Sequence, residues 1–368
     1  MVRTIGKSSS PTTQNPEQSS GHILNFCVLL AERFIMTYTV TPSSKPIGLK
    51  DLLDGPPAPL DDDGKSVTAK LLVDCRCNLG ECILYDDDKE QILFTDILGR
   101  KFHRLSLKDP EEAQELETFT LEKMLCAFAL RETAEPGLLC AWEDGFQLYD
   151  FDQAKALGPY SQGEKVDNQG LPDRLNDGRV DPTGRFFVCG GHSPKGNYLK
   201  VYRCSMTNGL LHHEPVVDKI NTTNSICWSL DGKTMYLANS PELKIFKHDY
   251  NDGTLSKKTK LHDKPEGFPD GSCVDSEGYI WNAVWMDGKR PGEIQRIDPH
   301  NGEIVFRVKL PDNTSETSCC CFGGKNLDIL FITSAWENLN PSMEPHAGGI
   351  YAVKLNGIKG CPEARFLG

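Results

Sequence analysis

What this chain lacks narrows it first. None of its fourteen cysteines forms a C-x-x-C pair. The clusters Cys75, Cys77, Cys82 and Cys319-Cys320-Cys321 have no His or Cys pair at zinc-ligand spacing. Fourteen in 368 residues is also far below the density of a disulfide scaffold. They read as buried free thiols of a reducing compartment, so the expected location is cytoplasmic. Basic clusters are missing too. Nothing exceeds Lys257-Lys258-Thr259-Lys260, and the formal net charge is −12. Nucleic acid, whose binding rests on neutralised phosphates, is therefore not an expected partner. No apolar run can span a bilayer, because Ile23–Ala31 is broken by Asn25 and too short, so no membrane is expected either. None of the nine His sits in a recognisable nucleophile motif. Long stretches of 3.6-residue period are absent, and the one passable helix, Glu111–Glu117, has no apolar face.

What is there begins at about residue 67. Residues 1–66 differ in texture from the rest. Met1–Gly21 is rich in Ser, Thr and Gln and reads as disordered, and Pro42–Gly64 reads as a linker without a firm element. A lead poor in acids suits an organelle-targeting segment as well as a non-functional extension, and Met36 is an alternative start. From Lys70 onward, short alternating runs and close turn signals mark an all-β domain over residues 67–368. Strands of similar build start at Ile92, Leu138, Phe186, Met235, Ile280 and Ile329, at intervals of 46, 48, 49, 45 and 49 residues. Charged or Asp-containing turns precede most of them, as in Asp181-Pro-Thr-Gly184 and Asp275-Ser-Glu-Gly278. Six units of about four strands fit a six-bladed β-propeller; a pair of β-sandwiches would not call for six even spacings. A strand near Leu71–Cys75 is expected to join the last blade and close the ring.

Oxygen-bearing side chains recur in phase with those units. Glu81 stands 11 residues before Ile92, Asn176 10 before Phe186, Asn224 11 before Met235 and Asp270 10 before Ile280. Each alone reads as a turn residue, Asp270-Gly271 above all. Turns need not fall in phase with a repeat, however. If the blades are equivalent, these four residues ring the central channel and aim carboxylate and amide oxygens at one axis, the donor set of a hard divalent cation. Phe128 and Ser318 hold the matching places in the second and sixth units, so part of the ring is not ligating.

Several motifs, in order, resemble the regucalcin (senescence marker protein)/gluconolactonase family. They are Leu79-Gly-Glu81, Arg174-x-Asn-Asp-Gly178, Thr223-Asn-Ser225 before Trp228-Ser-Leu-Asp-Gly232, and Pro269-Asp-Gly271. Val274-Asp-Ser-Glu-Gly278, Thr317-Ser-Cys-Cys-Cys-Phe-Gly-Gly324 and Ala347-Gly-Gly-Ile-Tyr351 extend the likeness over roughly residues 70–368. The resemblance implies a six-bladed propeller with one divalent metal in its channel, and many members of the family hydrolyse sugar lactones. Carried over motif by motif, it implies Glu81, Asn224 and Asp270 as metal ligands, and Arg174 and Asn176 as substrate contacts, Asn176 near the metal. Two departures fall beside the ligands, where Cys82 and Ser225 replace the usual Gly. A third follows the third strand, where Cys189-Gly-Gly-His-Ser-Pro-Lys-Gly196 stands in place of the family's Gly-Thr-Met and acidic residues.

The expected chemistry is metal-assisted opening of a small lactone. A cation among Ca2+, Mg2+, Mn2+ and Zn2+ would polarise the carbonyl, and Asp270 is the candidate base as well as a ligand. Arg174 would hydrogen-bond sugar hydroxyls or the ring oxygen; the plainer alternative is a surface ion pair. His192 reads as a solvated loop residue near the mouth. Two alternatives stand beside the lactonase reading. One is a hydrolase of aryl esters or organophosphates on the same site; the other is a calcium-binding regulatory protein without turnover.

Overall fold

Six antiparallel sheets, each wound outward from a central axis, make up this computed structural model, which describes residues 45–110, 116–133, 136–162, 173–263, 266–311 and 314–368. Blade 1 runs Gly80–Asp86, Gln91–Asp96, Lys101–Ser106 and Glu117–Thr120. Blade 2 starts with Leu125–Ala129 and Leu138–Trp142, and blade 3 with Arg174–Val180 and Phe187–His192. Blade 4 starts with Thr223–Trp228 and Thr234–Asn239, blade 5 with Phe268–Val274 and Ile280–Trp285, and blade 6 with Thr317–Gly323 and Ile329–Ser334. The six innermost strands contact one another in a closed cycle, so the expected six-bladed β-propeller is the fold.

Burial falls from the axis outward, and the sequence patterns follow it. Inner strands such as Gly80–Asp86 and Thr317–Gly323 are buried on both faces. The outer strand Leu210–Ile220 is mostly exposed or half-exposed. Between blades the packing is aromatic and thiol-rich. Trp281 and Phe322 meet edge to face at 5.3 Å, beside Cys273 and Cys320. The turn aspartates hold the blades' corners from inside. Asp181 is fully buried and accepts from Phe186 N (3.0 Å) and Tyr250 Oη (3.1 Å). Asp275 accepts from Trp281 Nε1 (2.9 Å) and Arg296 Nε (2.7 Å).

The chain closes its ring twice at its N-terminal side. Ser66–Thr68 adds a parallel fifth strand to blade 5, and Lys70–Val73 then becomes the outermost strand of blade 6, pairing with Ile350–Lys354. Hydrogen-bonding the start of the domain into its last sheet removes an open edge, as the sequence suggested. The segment expected to be a linker without a firm element needs correction. Leu49–Leu53 is a short helix whose Leu49 and Leu52 are buried against blades 6 and 1, and Ile47 N donates to Leu71 O at 2.7 Å. The expected disorder of Met1–Gly21 and most of the expected helix Glu111–Glu117 lie outside the described residues; Glu117 itself begins a strand.

A third closure comes from the C-terminal tail, which crosses the channel's far end. Gly360 bridges to Asp275 of blade 5, Phe366 to Arg131 of blade 2, and Leu367 N donates to Gly184 O of blade 3 at 2.7 Å. Arg365 reaches Asp86, Asp87 and Asp88 of blade 1 at 2.8, 2.7 and 3.1 Å, so that acidic run is an ion-paired anchor. The thirteen described cysteines are all free, and only Cys75 and Cys361 are partly exposed. Among the described residues no helix is long and apolar enough to cross a membrane.

Candidate metal centre and substrate pocket

Each inner strand carries a bulge near its start, and the bulge explains the alternation of 11 and 10 in the sequence spacing. In blades 1 and 4, Glu81 and Asn224 are the last paired residues before the register shift. In blades 3 and 5, Asn176 and Asp270 lie one residue further on, inside it. An extra residue bends a strand and re-aims its side chains. The four residues are thus near-equivalent in place but differ in phase. Asp270-Gly271, which alone reads as a turn, is mid-strand.

The two departures from glycine sit at this bend. Cys82 and Ser225 have φ of 47° and 60°, the left-handed region that side chains other than glycine's disfavour. Each uses its side chain to tie the next blade. Cys82 Sγ lies 3.3 Å from Phe128 N and 3.6 Å from Phe128 O, on the inner strand of blade 2. Ser225 Oγ donates to Asp270 O at 2.8 Å, and Asn282 Nδ2 donates to that same carbonyl at 2.9 Å. The backbone on which Asp270 sits is therefore clamped by two side chains: Ser225, marked in the sequence only as a departure from glycine, and Asn282, which no motif pointed to.

All five residues picked from the sequence line one pocket of about 340 Å3 at the N-terminal ends of the inner strands: Glu81, Arg174, Asn176, Asn224 and Asp270. Asn176 Nδ2 donates to Asn224 Oδ1 (3.0 Å) and Thr223 O (2.9 Å), while its own Oδ1 accepts from Arg174 Nη1. Asn224 Nδ2 donates to Ser240 Oγ at 2.9 Å, and Ser240 Oγ to Pro269 O at 2.7 Å. These bonds turn the oxygen of Asn224 away from Ser240 and leave it a spare lone pair. Arg174 is buried and, among the described residues, makes no ion pair, so the surface ion pair is excluded. Phe128 and Ser318, at the matching places, are buried in packing and in bonds to Gly80 O and Thr333 Oγ1.

Glu81 and Asp270 are only 6% and 7% exposed, and their carboxyls lie within hydrogen-bonding reach of each other. Burial, then the charge of Asp177, pushes Glu81 up to about 8. Burial, then the charges of Glu81 and Asp177, raises Asp270 well above the usual carboxylate range. Asp177 lies deeper in the channel, accepts from Ile226 N at 2.9 Å, and is itself pushed up to about 6 by burial. Asp270 Oδ1 is buried with no partner. Two facing carboxyls cannot both ionise without a counter-charge, and a buried oxygen without a donor is costly. A divalent cation answers both, so the residues fit one. The donors, Glu81, Asp270 and Asn224 Oδ1, are all oxygen.

Sequence reasoning misplaced one residue here and missed others. His192 is the last residue of the strand Phe187–His192 and lines the pocket, so it is not a solvated loop residue. Ser240, Trp285, Phe268 and Glu337 also contribute to the wall, each from a different segment, and no short motif announced them.

A six-bladed propeller with a polar, carboxylate-floored pocket at one mouth defines a class, and the comparisons place the chain within it. Residues 79–336 match the family model of the SMP-30/Gluconolactonase/LRE-like region, and the chain belongs to that family. It is 30% identical over 314 residues to regucalcin of Xenopus laevis, covering 82% of this chain and 99% of that protein. Regucalcin of Homo sapiens is 28% identical over 304 residues, covering 80% and 96%. Among solved structures, a calcium-binding protein, regucalcin, from Agrobacterium tumefaciens superposes with a TM-score of 0.68 at 26% identity, covering 82% of this chain and 98% of that one. A gluconolactonase from Xanthomonas campestris shares the fold, with a TM-score of 0.60 at 17% identity over 86% of this chain and 99% of that one.

Proposed function

We propose that the protein is a metal-dependent hydrolase that opens sugar lactones, a small-molecule enzyme acting on neither nucleic acid nor membrane. The observation that carries this is the pairing of two buried, facing carboxyls, Glu81 and Asp270, in the same pocket as the guanidinium of Arg174. Glu81, Asn224 and Asp270 would hold the cation. When bound, it supplies Lewis-acid polarisation of the lactone carbonyl and acidifies a nearby water.

The rest follows from the chain's own groups. Arg174 has one Nη fixed on Leu175 O and Asn176 Oδ1, which orients the guanidinium and leaves further N–H groups for substrate oxygens. Asn176 fixes both Arg174 and Asn224, and so couples the substrate side of the pocket to the cation side. The Asp270 carboxylate, which lines the pocket, is the base that takes a proton from the attacking water. The water oxygen bonds to the carbonyl carbon, the ring C–O bond breaks, and the ring oxygen leaves as a hydroxyl after taking that proton from the Asp270 carboxyl. The product is the open hydroxy acid.

The test is hydrolysis of a lactone panel by chelated protein reloaded separately with Ca2+, Mg2+, Mn2+ or Zn2+, with bound metal quantified. Turnover that disappears on chelation and returns with a divalent ion supports the reading. Activity unchanged in stripped protein overturns it. A second reading, a calcium-binding protein without turnover, is favoured by the likeness to a regucalcin described as calcium-binding. Selective Ca2+ binding with no hydrolysis of any lactone would establish it. Preferential turnover of aryl esters or organophosphates would instead move the protein to another hydrolase class.

A further inference from the structure

His192 lines the pocket beside Arg174, its paired neighbour across the first two strands of blade 3. A series of hydrogen bonds leading away from it can run in only one direction. Asn221 Nδ2 donates to Asn197 O at 3.0 Å, which turns the amide oxygen the other way. That oxygen only accepts, so the hydroxyl proton of Thr222, 3.1 Å away, is committed to it. Thr222 Oγ1 must then accept from His192, and the nitrogen facing it at 3.1 Å is Nδ1. Nδ1 therefore carries the proton. Burial and the charge of Arg174 push the imidazole down to about 3, so the ring is neutral in the physiological range. In a neutral ring with Nδ1 protonated, Nε2 is a bare acceptor. No described residue bonds to Nε2, which Cε1 separates from the nitrogen that faces Thr222.

We propose that His192 Nε2 reads a hydroxyl group of the substrate, and so sets a preference for polyhydroxylated lactones over hydroxyl-free esters of similar size. A substrate with a hydroxyl there satisfies the acceptor. One without it leaves a desolvated lone pair unpaired, the situation in which a polar site rejects an analogue most strongly. Thr222, by holding the tautomer, is a positioning residue. Glu337 adds a second acceptor to the wall, its carboxyl raised by burial. Aryl esters and phosphotriesters have no hydroxyl to offer either group.

This inference rests on the pocket being the lactone site, and its test separates the two. The full-length protein with its activating cation is assayed on glucono-δ-lactone and on hydroxyl-free δ-valerolactone. His192→Phe is expected to lower the ratio of kcat/KM between them by about 10- to 100-fold. His192→Gln, which offers an amide oxygen, should recover part of the ratio. Thr222→Val, which frees the tautomer, should lower it by a smaller factor. Equal losses on both lactones, or no loss, would overturn the proposal. So would 15N NMR of histidine-labelled wild-type protein showing His192 protonated at Nε2. Should wild type open neither lactone, the hydrolase reading fails, and calorimetry with D-gluconate then decides the inference. Binding to wild type at least tenfold tighter than to His192→Phe sustains it; equal or absent binding overturns it.

Discussion

Ser225, at a backbone φ of 60°, donates its hydroxyl to the main-chain oxygen of Asp270 at 2.8 Å, across the seam between blades 4 and 5. A residue that glycine would suit better conformationally is thus kept where its side chain holds a candidate ligand. Two substitutions separate the effects. Ser225→Ala loses the hydrogen bond and keeps the strain, and should destabilise by about 1–3 kcal/mol. Ser225→Gly loses the bond but relieves the strain, and should be the more stable of the two by about 1 kcal/mol. Urea denaturation of both variants checks the order; a less stable glycine variant would contradict the strain argument.

Asp270 is the residue on which turnover and cation binding both depend in the proposed scheme. Asp270→Ala should abolish cation-dependent lactone hydrolysis while the far-ultraviolet circular dichroism is retained. Asp270→Asn, similar in shape and uncharged, removes one of two facing carboxyls and should raise the Tm of chelated protein. It should also erase most of the Tm increase that a divalent ion gives wild type. An unchanged ion-induced increase would show that the ion binds elsewhere.

Stability without metal should fall as pH rises. Glu81 is pushed up to about 8 in the folded protein, against 4.5 for the ordinary side chain, so the folded state binds its proton more tightly than the unfolded state. The associated stability is fully present below about pH 4.5 and is lost as pH rises through 8, amounting to roughly 2–5 kcal/mol. Asp177, pushed up to about 6, and Asp270 act in the same direction. Denaturation midpoints from pH 5 to 8 in chelator should decline, and saturating Ca2+ should flatten the decline. A chelated protein most stable at pH 8 would be incompatible with these protonation states.

At the far end of the channel, Glu363 of the C-terminal tail faces Arg179 at 3.6 Å, with side chains only 15% and 11% exposed. Glu363→Gln removes the principal counter-charge of a guanidinium that has little water, leaving it the weaker influence of Asp177. The expected cost is about 2–4 kcal/mol, well beyond that of a surface pair. A midpoint in urea unchanged from wild type would show that the tail does not brace the channel.

Much of the architecture was legible because a propeller repeats one solution. Each blade needs an inner strand buried on both faces, a turn and a second strand, so the spacing of Ile92, Leu138, Phe186, Met235, Ile280 and Ile329 gives the blade number. The in-phase residues Glu81, Asn176, Asn224 and Asp270 could be found from the same spacing, and they converge on one pocket. His192 could not be read this way. Its tautomer depends on Thr222 and Asn221, which precede blade 4, and on Asn197, in the loop before the third strand of blade 3. The helix Leu49–Leu53 was missed because so short a segment has little periodicity, and its order comes from burying Leu49 and Leu52 against blades already formed.

The amino-acid order by itself determined the number of sheets, the strand that closes the ring, and which oxygen-bearing side chains stand at the starts of the inner strands. These are properties of a local, repeated pattern. Only the tertiary structure decided the phase of each bulge, the left-handed backbone at Cys82 and Ser225, the facing of Glu81 and Asp270, and the course of the tail beneath them. Those features arise where residues far apart in the chain share one small buried volume, and the energetic balance there is set by what each polar group finds opposite it.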